Sequence, residues 1–182
     1  AMFGRTKKEI QIKMDLAPDI WTAEVDRGQI EQALLNLYVN AWQAMQQGGD
    51  LYLKTENVVL DAEFVNNKPY KVEPGDYIKI TVTDTGIGID RETRERIFEP
   101  FFTTKEMGRG TGLGLASVYG VIKNHGGYIN VYSEIDQGTT FTIVLPSSKE
   151  TQPSDTMITK DLVAGVAQTR NDVAVLIQTL ID

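Results

Sequence analysis

The chain has 182 residues, 41% of them apolar and 24% charged, with no cysteine and a formal net charge of −7. This composition is typical of a globular protein with one full domain, and it excludes a disulfide framework or a thiolate metal site. The acidic balance argues against nonspecific nucleic-acid binding, and no apolar run approaches the roughly 20 residues of a membrane span. We therefore expect a soluble, cytoplasmic fragment with no nucleic-acid partner; membrane anchoring of the parent protein stays open.

The N-terminal part predicts a strand followed by a long helix. Residues 10–16 alternate apolar and polar side chains, which is the period of a half-buried strand. Asp26 precedes Gln29 by three positions in the manner of a capping box, and Gly48-Gly49 ends the helix that follows. The apolar side chains of that helix recur at helical spacing: Ile30, Leu34, Leu37, Ala41 and Ala44.

The rest of the domain alternates between strands and helices. The sequence first predicts two β-rich runs, at 51–60 and 77–83, on either side of a polar connection at 61–76. A short charged helix at 90–98, a stretch without a clear period at 99–111 and a second long helix at 113–124 follow. The last predicted element is a closing hairpin formed by 128–133 and 139–145. The polar connection is long enough for a looped-out hairpin. This order predicts an α+β fold, a two-layer α/β sandwich in which helices cover one face of a mixed, mainly antiparallel sheet.

The composition divides the chain into three parts. Residues 1–8 are interpreted as a cloning remnant and linker, and residues 9–147 as the domain. Residues 148–182 begin with a linker-like stretch and continue with an apolar stripe that predicts an amphipathic C-terminal helix. That segment is interpreted either as a docking helix or as the edge of a further domain.

Two asparagines on the first long helix are the first candidates for chemistry. Asn36 and Asn40 are four residues apart, so both point to one face of the helix. An asparagine carbonyl oxygen can ligate a hard cation such as Mg²⁺. The alternative is that both are polar residues on a solvated helix face.

An aspartate at the end of a predicted strand is the second candidate. Asp84 is followed by Gly86 and Gly88, which let the backbone turn tightly and come close to a ligand. Its carboxylate can accept a hydrogen bond from an exocyclic amine. The alternative is an Asx-type turn with no ligand.

Three phenylalanines and a glycine-rich run follow. Phe98, Phe101 and Phe102 predict either a core-anchoring cluster or a clamp, and Lys105 and Arg109 are either phosphate contacts or ordinary solvated charges.

Four alternating glycines then lead into a helix, whose free N–H groups and dipole form a ready anion site behind a mobile lid: Gly108, Gly110, Gly112 and Gly114.

Taken together, the order and spacing of these motifs resemble those of a known family. NLYVNA (36–41), DTGIG (84–88), FEPFF (98–102) and GRGTGLGL (108–115) look like the N, first G, F and second G boxes. The sequence from about 9 to 147 resembles the catalytic ATP-binding domain of two-component sensor histidine kinases, in the Bergerat-fold superfamily. Its motif sequences are most similar to those of the nitrogen-regulator and hybrid-kinase type.

The resemblance implies a role for each motif residue. Asp84 would bind the adenine amino group, with Thr140 nearby through water, and Gly86 and Gly88 would shape that side of the pocket. Asn40 would coordinate Mg²⁺ on the phosphates of ATP. Asn36, Asn40 and Lys105 are the predicted catalytic residues, and the lid and phosphate contacts would come from Lys105, Arg109, Gly110, Thr111, Gly112, Leu113 and Gly114.

The residue at position 36 bears on the type of reaction. Hydrolytic relatives carry a glutamate there as general base, whereas Asn36 cannot accept a proton at neutral pH. The resemblance implies transfer of the γ-phosphoryl to a histidine on a separate helical-hairpin domain, with a response regulator downstream, and Asn36 favours this transfer over hydrolysis. A Bergerat-fold ATPase and a non-catalytic nucleotide-binding module are the alternatives. The single histidine, His125, is expected to cap or pack at its helix end rather than to receive phosphate.

Overall fold

The computed structural model describes residues 10–66, 72–104 and 110–148. These residues form five strands: β1 (Ile10–Leu16), β2 (Gly49–Leu60), β3 (Gly75–Asp84), β4 (Tyr128–Glu134) and β5 (Gly138–Pro146). They also form four helices: α1 (Arg27–Ala44), α2 (Ala62–Asn66), α3 (Arg91–Arg96) and α4 (Gly114–Asn124). Within this part of the chain, no helix is long and apolar enough to cross a membrane.

The five strands form one sheet in the order β1-β2-β3-β5-β4. β1 pairs with β2 in parallel, and the other three pairs are antiparallel. The predicted mixed, mainly antiparallel sheet is confirmed, and each predicted strand agrees with the observed one to within two residues at either end.

The two long helices cover one face of the sheet, as predicted. The apolar stripe of α1 is buried through Ile30, Leu34, Leu37 and Ala41. On α4, Val118 and Ile122 are fully buried, and both helices pack against strand residues in a single core. This burial of an amphipathic face stabilises the helices more than their intrinsic propensity does.

The start of α1 shows only half of the predicted capping box. Asp26 Oδ1 accepts a hydrogen bond from the Gln29 backbone N–H at 2.9 Å, which satisfies one of the free donors of the first turn. The backbone N–H of Asp26 itself donates to His125 Nε2 at 3.0 Å, from the far end of α4. A residue 99 positions away therefore completes the cap.

The connection between β2 and β3 departs from the prediction of a looped-out hairpin. Its first part is α2, whose first turn begins with the Asp61 carboxylate accepting from the Phe64 backbone N–H at 2.7 Å. Val65 of α2 packs on a small second cluster that lies on the sheet face opposite α1 and α4: Leu60, Val72, Tyr77, Tyr128 and Val144. Apolar residues inside a polar-looking connection thus cover part of the sheet face opposite α1 and α4.

The last described residue, Ser148, lies beside the segment that connects β1 to α1. Ser148 forms an antiparallel bridge with Thr22, and its N–H donates to the Thr22 carbonyl at 2.8 Å. The predicted C-terminal helix within 148–182 lies outside the described residues, as do Lys105, Gly108 and Arg109.

Candidate functional site

Asp84 lies at the last position of β3 and is buried, with 4% of its surface exposed. Its Oδ1 accepts a hydrogen bond from the Gly86 backbone N–H at 2.8 Å. Burial raises the pKa of the carboxyl above its ordinary value, while the backbones of Gly86 and Thr139 act in the opposite direction by stabilising the charge. A buried carboxylate at a strand end is thereby held as an acceptor without a cationic partner among the described residues.

The loop after Asp84 is clamped between α1 and the β4–β5 hairpin. A Cβ on Gly86 would lie 2.7 Å from the Ala44 carbonyl oxygen at the end of α1, and the Ile87 N–H donates to that oxygen at 3.1 Å. Gly88 has a φ of +70°, and a Cβ there would lie 1.9 Å from the Glu134 carbonyl oxygen. Both glycines are therefore required by close backbone approach, as the motif predicted.

The predicted proximity of Thr140 to Asp84 is wrong. Asp84 pairs in register with Thr139, and Thr83 pairs with Thr140. Successive side chains of a strand point to opposite faces, so Thr140 lies on the face away from Asp84. Its hydroxyl forms a 3.0 Å hydrogen bond with the Thr83 hydroxyl instead. On β5, Thr139 is the hydroxyl residue that lies on the Asp84 side of the sheet.

Two buried hydroxyls on this side were missed by sequence reasoning. Thr139 and Ser133 are 5% and 2% exposed, and their hydroxyl oxygens are 2.9 Å apart. Ser133 Oγ also accepts from the Ile89 N–H at 2.8 Å, which ties the Asp84 loop to β4. The inward parity of Phe141, Ile143 and Leu145 along β5 was the available signal for Thr139, because it places position 139 on the same face.

The two asparagines of α1 differ in how far they are engaged. The Asn36 amide nitrogen donates to the Gly114 carbonyl at 3.3 Å, and its Oδ1 lies 3.4 Å from Gln32 Nε2. Asn40 is half-buried, and within the described part of the chain its amide makes no hydrogen bond. Its oxygen is therefore available to a ligand.

Among the described residues, no side chain caps the first turn of α4. Leu113 occupies the N-cap position without a side-chain cap, and it is exposed. Its own N–H donates to Thr111 Oγ1 at 3.3 Å, whereas the first-turn N–H groups beginning at Gly114 have no capping side chain. Such a helix end attracts negative charge through its free donors and its dipole.

Gly112 holds the glycine-rich segment against the phenylalanine segment. It has a φ of +66°, its carbonyl accepts from the Phe101 N–H at 2.9 Å, and a Cβ there would lie 2.4 Å from the Phe101 carbonyl carbon. Gly110 is half-buried ahead of this contact. Gly110 to Gly114 are the part of the predicted lid that the structure describes.

The three phenylalanines divide between core and surface. Phe98 packs 5.4 Å from Tyr119 and 6.5 Å from Phe141 between ring centroids, and Phe102 lies under the Arg96 guanidinium. Phe101 has a φ of 67° and is 76% exposed. The core-anchoring interpretation holds for two of the three.

One face of α1 joins these parts into a single site. Asn36 contacts Gly114 at the start of α4, Asn40 follows one turn later, and Ala44 contacts Gly86 beside Asp84. At a rise of 1.5 Å per residue, the eight steps from residue 36 to residue 44 span about 12 Å. The site is thus elongated, with a hydrogen-bond acceptor at one end and helix N–H donors at the other.

His125 lies apart from this arrangement. Its Nε2 accepts from the Asp26 N–H, and its Nδ1 lies 2.7 Å from the Val121 carbonyl oxygen, to which it donates. Both ring nitrogens are occupied by backbone groups, so the expectation that His125 caps and packs at a helix end is confirmed.

Comparison with known proteins agrees with this geometry. Residues 25–149 match the family described as histidine kinase-, DNA gyrase B-, and HSP90-like ATPase. The chain is 47% identical over 149 residues to the sensor kinase CckA of Brucella abortus, covering 81% of this chain and 16% of that protein. It is 38% identical over 139 residues to the sensor histidine kinase ZraS of Escherichia coli K12, covering 76% and 26%.

Solved structures show the same fold. The mycobacterial sensor histidine kinase MprB matches with a TM-score of 0.58 and 30% identity over 76% of this chain and 82% of that one. Full-length ShkA, crystallised in complex with AMPPNP, matches with a TM-score of 0.60 and 29% identity over 80% and 27%. The chain spans about a sixth to a quarter of the curated relatives it matches. It belongs to the histidine kinase-, DNA gyrase B- and HSP90-like ATPase family, as the ATP-binding catalytic domain of a sensor histidine kinase.

Proposed function

We propose that this domain transfers the γ-phosphoryl group of Mg-ATP to a histidine on a separate helical-hairpin domain of its parent kinase. The observation that carries the proposal is the elongated site along α1, with Asp84 at one end and the uncapped α4 at the other. Adenine presents an exocyclic amine that suits a buried acceptor, and a triphosphate suits free helix N–H groups. The adenine base and the phosphates of ATP would thereby bind at opposite ends of the site.

Magnesium fits the middle of this site through Asn40. Its half-buried amide has no hydrogen-bond partner within the described part of the chain, and no group of three or more acidic, histidine or cysteine side chains there can hold a metal. Mg²⁺ commonly takes one or two protein oxygens and completes its coordination with phosphate oxygens and water. When bound, it would neutralise charge on the phosphates, and Asn40 would hold their position relative to α4.

Transfer to a protein histidine is favoured over hydrolysis because of Asn36. Its amide is fastened to the Gly114 carbonyl, and an amide cannot take a proton from water. The domain then contributes positioning and charge neutralisation, which are the main protein contributions to phosphoryl transfer. The attacking imidazole must come from another domain, since both ring nitrogens of His125 are engaged by backbone groups. A response regulator is the expected acceptor downstream.

The test is to mix the chain with Mg-ATP and a separately supplied helical-hairpin domain. We expect phosphate on the hairpin domain in a bond that is labile to acid and stable to base, and no labelling of the chain alone. Asn40→Asp should impair transfer while leaving the fold intact, whereas Asn130→Asp makes the same charge change at an exposed position on the opposite sheet face and should transfer normally.

Two outcomes would replace the proposal by its alternatives. Rapid phosphate release from the chain alone, without the hairpin domain, supports an ATPase. Failure of the chain to bind Mg-ATP at all supports a non-catalytic module.

A further inference from the structure

Ser133 is a buried hydroxyl that no motif accounts for. It is 2% exposed, near the end of β4, and its side chain has three hydrogen-bonding neighbours. These are the Ile89 N–H at 2.8 Å, the Gly138 carbonyl oxygen at 2.9 Å and the Thr139 hydroxyl at 2.9 Å. The Ser133 carbonyl also accepts from the Arg94 guanidinium at 3.0 Å, which anchors this residue from α3.

One arrangement of protons makes all three contacts of Ser133 hydrogen bonds at once. A hydroxyl donates once and accepts twice. In that arrangement the Ser133 proton goes to the Gly138 carbonyl, which can only accept, and the Ile89 N–H donates to Ser133. The contact between the two hydroxyls is then a hydrogen bond only if Thr139 donates to Ser133.

This assignment leaves Thr139 with lone pairs alone for any ligand. Thr139 is the register partner of Asp84 on the same face of the sheet, where side chains of paired residues lie about 5 Å apart between Cβ atoms. An ionised Asp84 carboxylate also offers only acceptors. Neither side chain therefore offers a hydrogen-bond donor to a ligand at this end of the site.

We infer that Ser133 is a positioning residue that sets base specificity. By accepting the hydrogen bond from the Thr139 hydroxyl, it leaves Thr139 and Asp84 as hydrogen-bond acceptors only, which favours a 6-amino purine over a 6-oxo purine. The inference rests on the proposed function, since it specifies which base the same site takes. A 6-oxo group presents an acceptor where a donor is needed, so it would face two unmatched acceptors.

The test compares binding of ATP and inosine triphosphate, which differ at position 6 of the purine, to the full 182-residue chain. Ser133→Ala frees the Thr139 proton to point toward the ligand, so the ratio of the inosine triphosphate Kd to the ATP Kd should fall by about tenfold, the equivalent of one hydrogen bond. Ser133→Cys replaces the hydroxyl by a somewhat larger thiol that accepts only weakly, so its ratio should fall in the same direction even if the alanine variant folds poorly.

The matched control is Thr83→Val. It removes a comparable hydroxyl pair, Thr83 with Thr140, one residue away from Asp84 but on the opposite face of the sheet. Its Kd ratio should equal that of the wild type. A merely structural role of Ser133 would weaken both nucleotides by the same factor, and that result overturns the inference while leaving the proposed function intact. A wild-type chain that binds neither nucleotide overturns both.

Discussion

At the scale of single residues, Asp84 combines a cost to stability with a use in binding. Burial raises the pKa of its carboxyl, which means that the folded chain holds this proton more tightly than the unfolded chain does. As pH rises from the ordinary aspartate pKa of about 3.9 through the raised value, the folded state loses that advantage. The contribution of Asp84 to the free energy of unfolding therefore falls with rising pH in this window.

Under the proposed function, binding should depend on pH in the opposite sense, because the ionised carboxylate would be the acceptor for the adenine amine. We expect ATP affinity to fall as pH drops through the raised pKa of Asp84, and Asp84→Asn to abolish binding. Denaturant unfolding of the nucleotide-free chain across pH, with the variant curve subtracted, measures the first slope, and calorimetric titration measures the second. Asp90→Asn keeps a good helix cap in the same loop and should bind ATP normally. Unchanged affinity in Asp84→Asn would contradict the assignment.

At the scale of elements, His125 joins the end of α4 to the start of α1. Its ring supplies the acceptor for the Asp26 N–H and a donor for the Val121 carbonyl. We expect His125→Ala to lower the free energy of unfolding by about 1–2 kcal/mol, because the Asp26 N–H loses its partner. Denaturant unfolding measures this loss, with exposed Asn124→Ala, one position earlier, as control. A variant as stable as wild type would show that water replaces the ring at no cost.

Two glycines around α4 should respond to alanine with opposite signs. Gly112 has a positive φ and lies against the Phe101 backbone, so Gly112→Ala should destabilise the chain by at least about 1–2 kcal/mol and weaken ATP binding. Gly120 lies within α4 with nothing within 4 Å of an added Cβ, so Gly120→Ala should stabilise it by about 1 kcal/mol. Thermal unfolding of both variants checks the pair, and equal shifts would refute the contact between Gly112 and Phe101.

At the scale of the whole molecule, the described residues form one main core. Its buried side chains run from Ala23 to Leu145, and the bridge between Thr22 and Ser148 closes the domain where β5 ends. A chain that stops at Ser148 should therefore unfold within about 0.5 kcal/mol of the full chain and bind ATP equally well. Chemical unfolding and light scattering test this, and lower stability or a changed oligomeric state in the shorter chain would show that residues 149–182 dock on the domain.

The charge of the whole molecule adds to this description. With a net charge of −7, its average field repels a triphosphate, so the proposed binding would rely on local donors such as the start of α4 and on a cation held by the nucleotide. The family assignment made from motifs agrees with the comparisons, and the order of elements was predictable because hydrophobic period, caps and glycines are local features.

By itself, the sequence determined the long helices, the strands, the family and the faces that carry Asn36 and Asn40, because each depends on neighbours a few residues apart. Only the tertiary structure decided that Thr139 rather than Thr140 lies beside Asp84, and that Ser133 holds its hydroxyl. It also decided that His125 completes the cap of α1 and that α2 covers the second cluster. These contacts depend on strand register and on packing between distant segments, which no local period encodes.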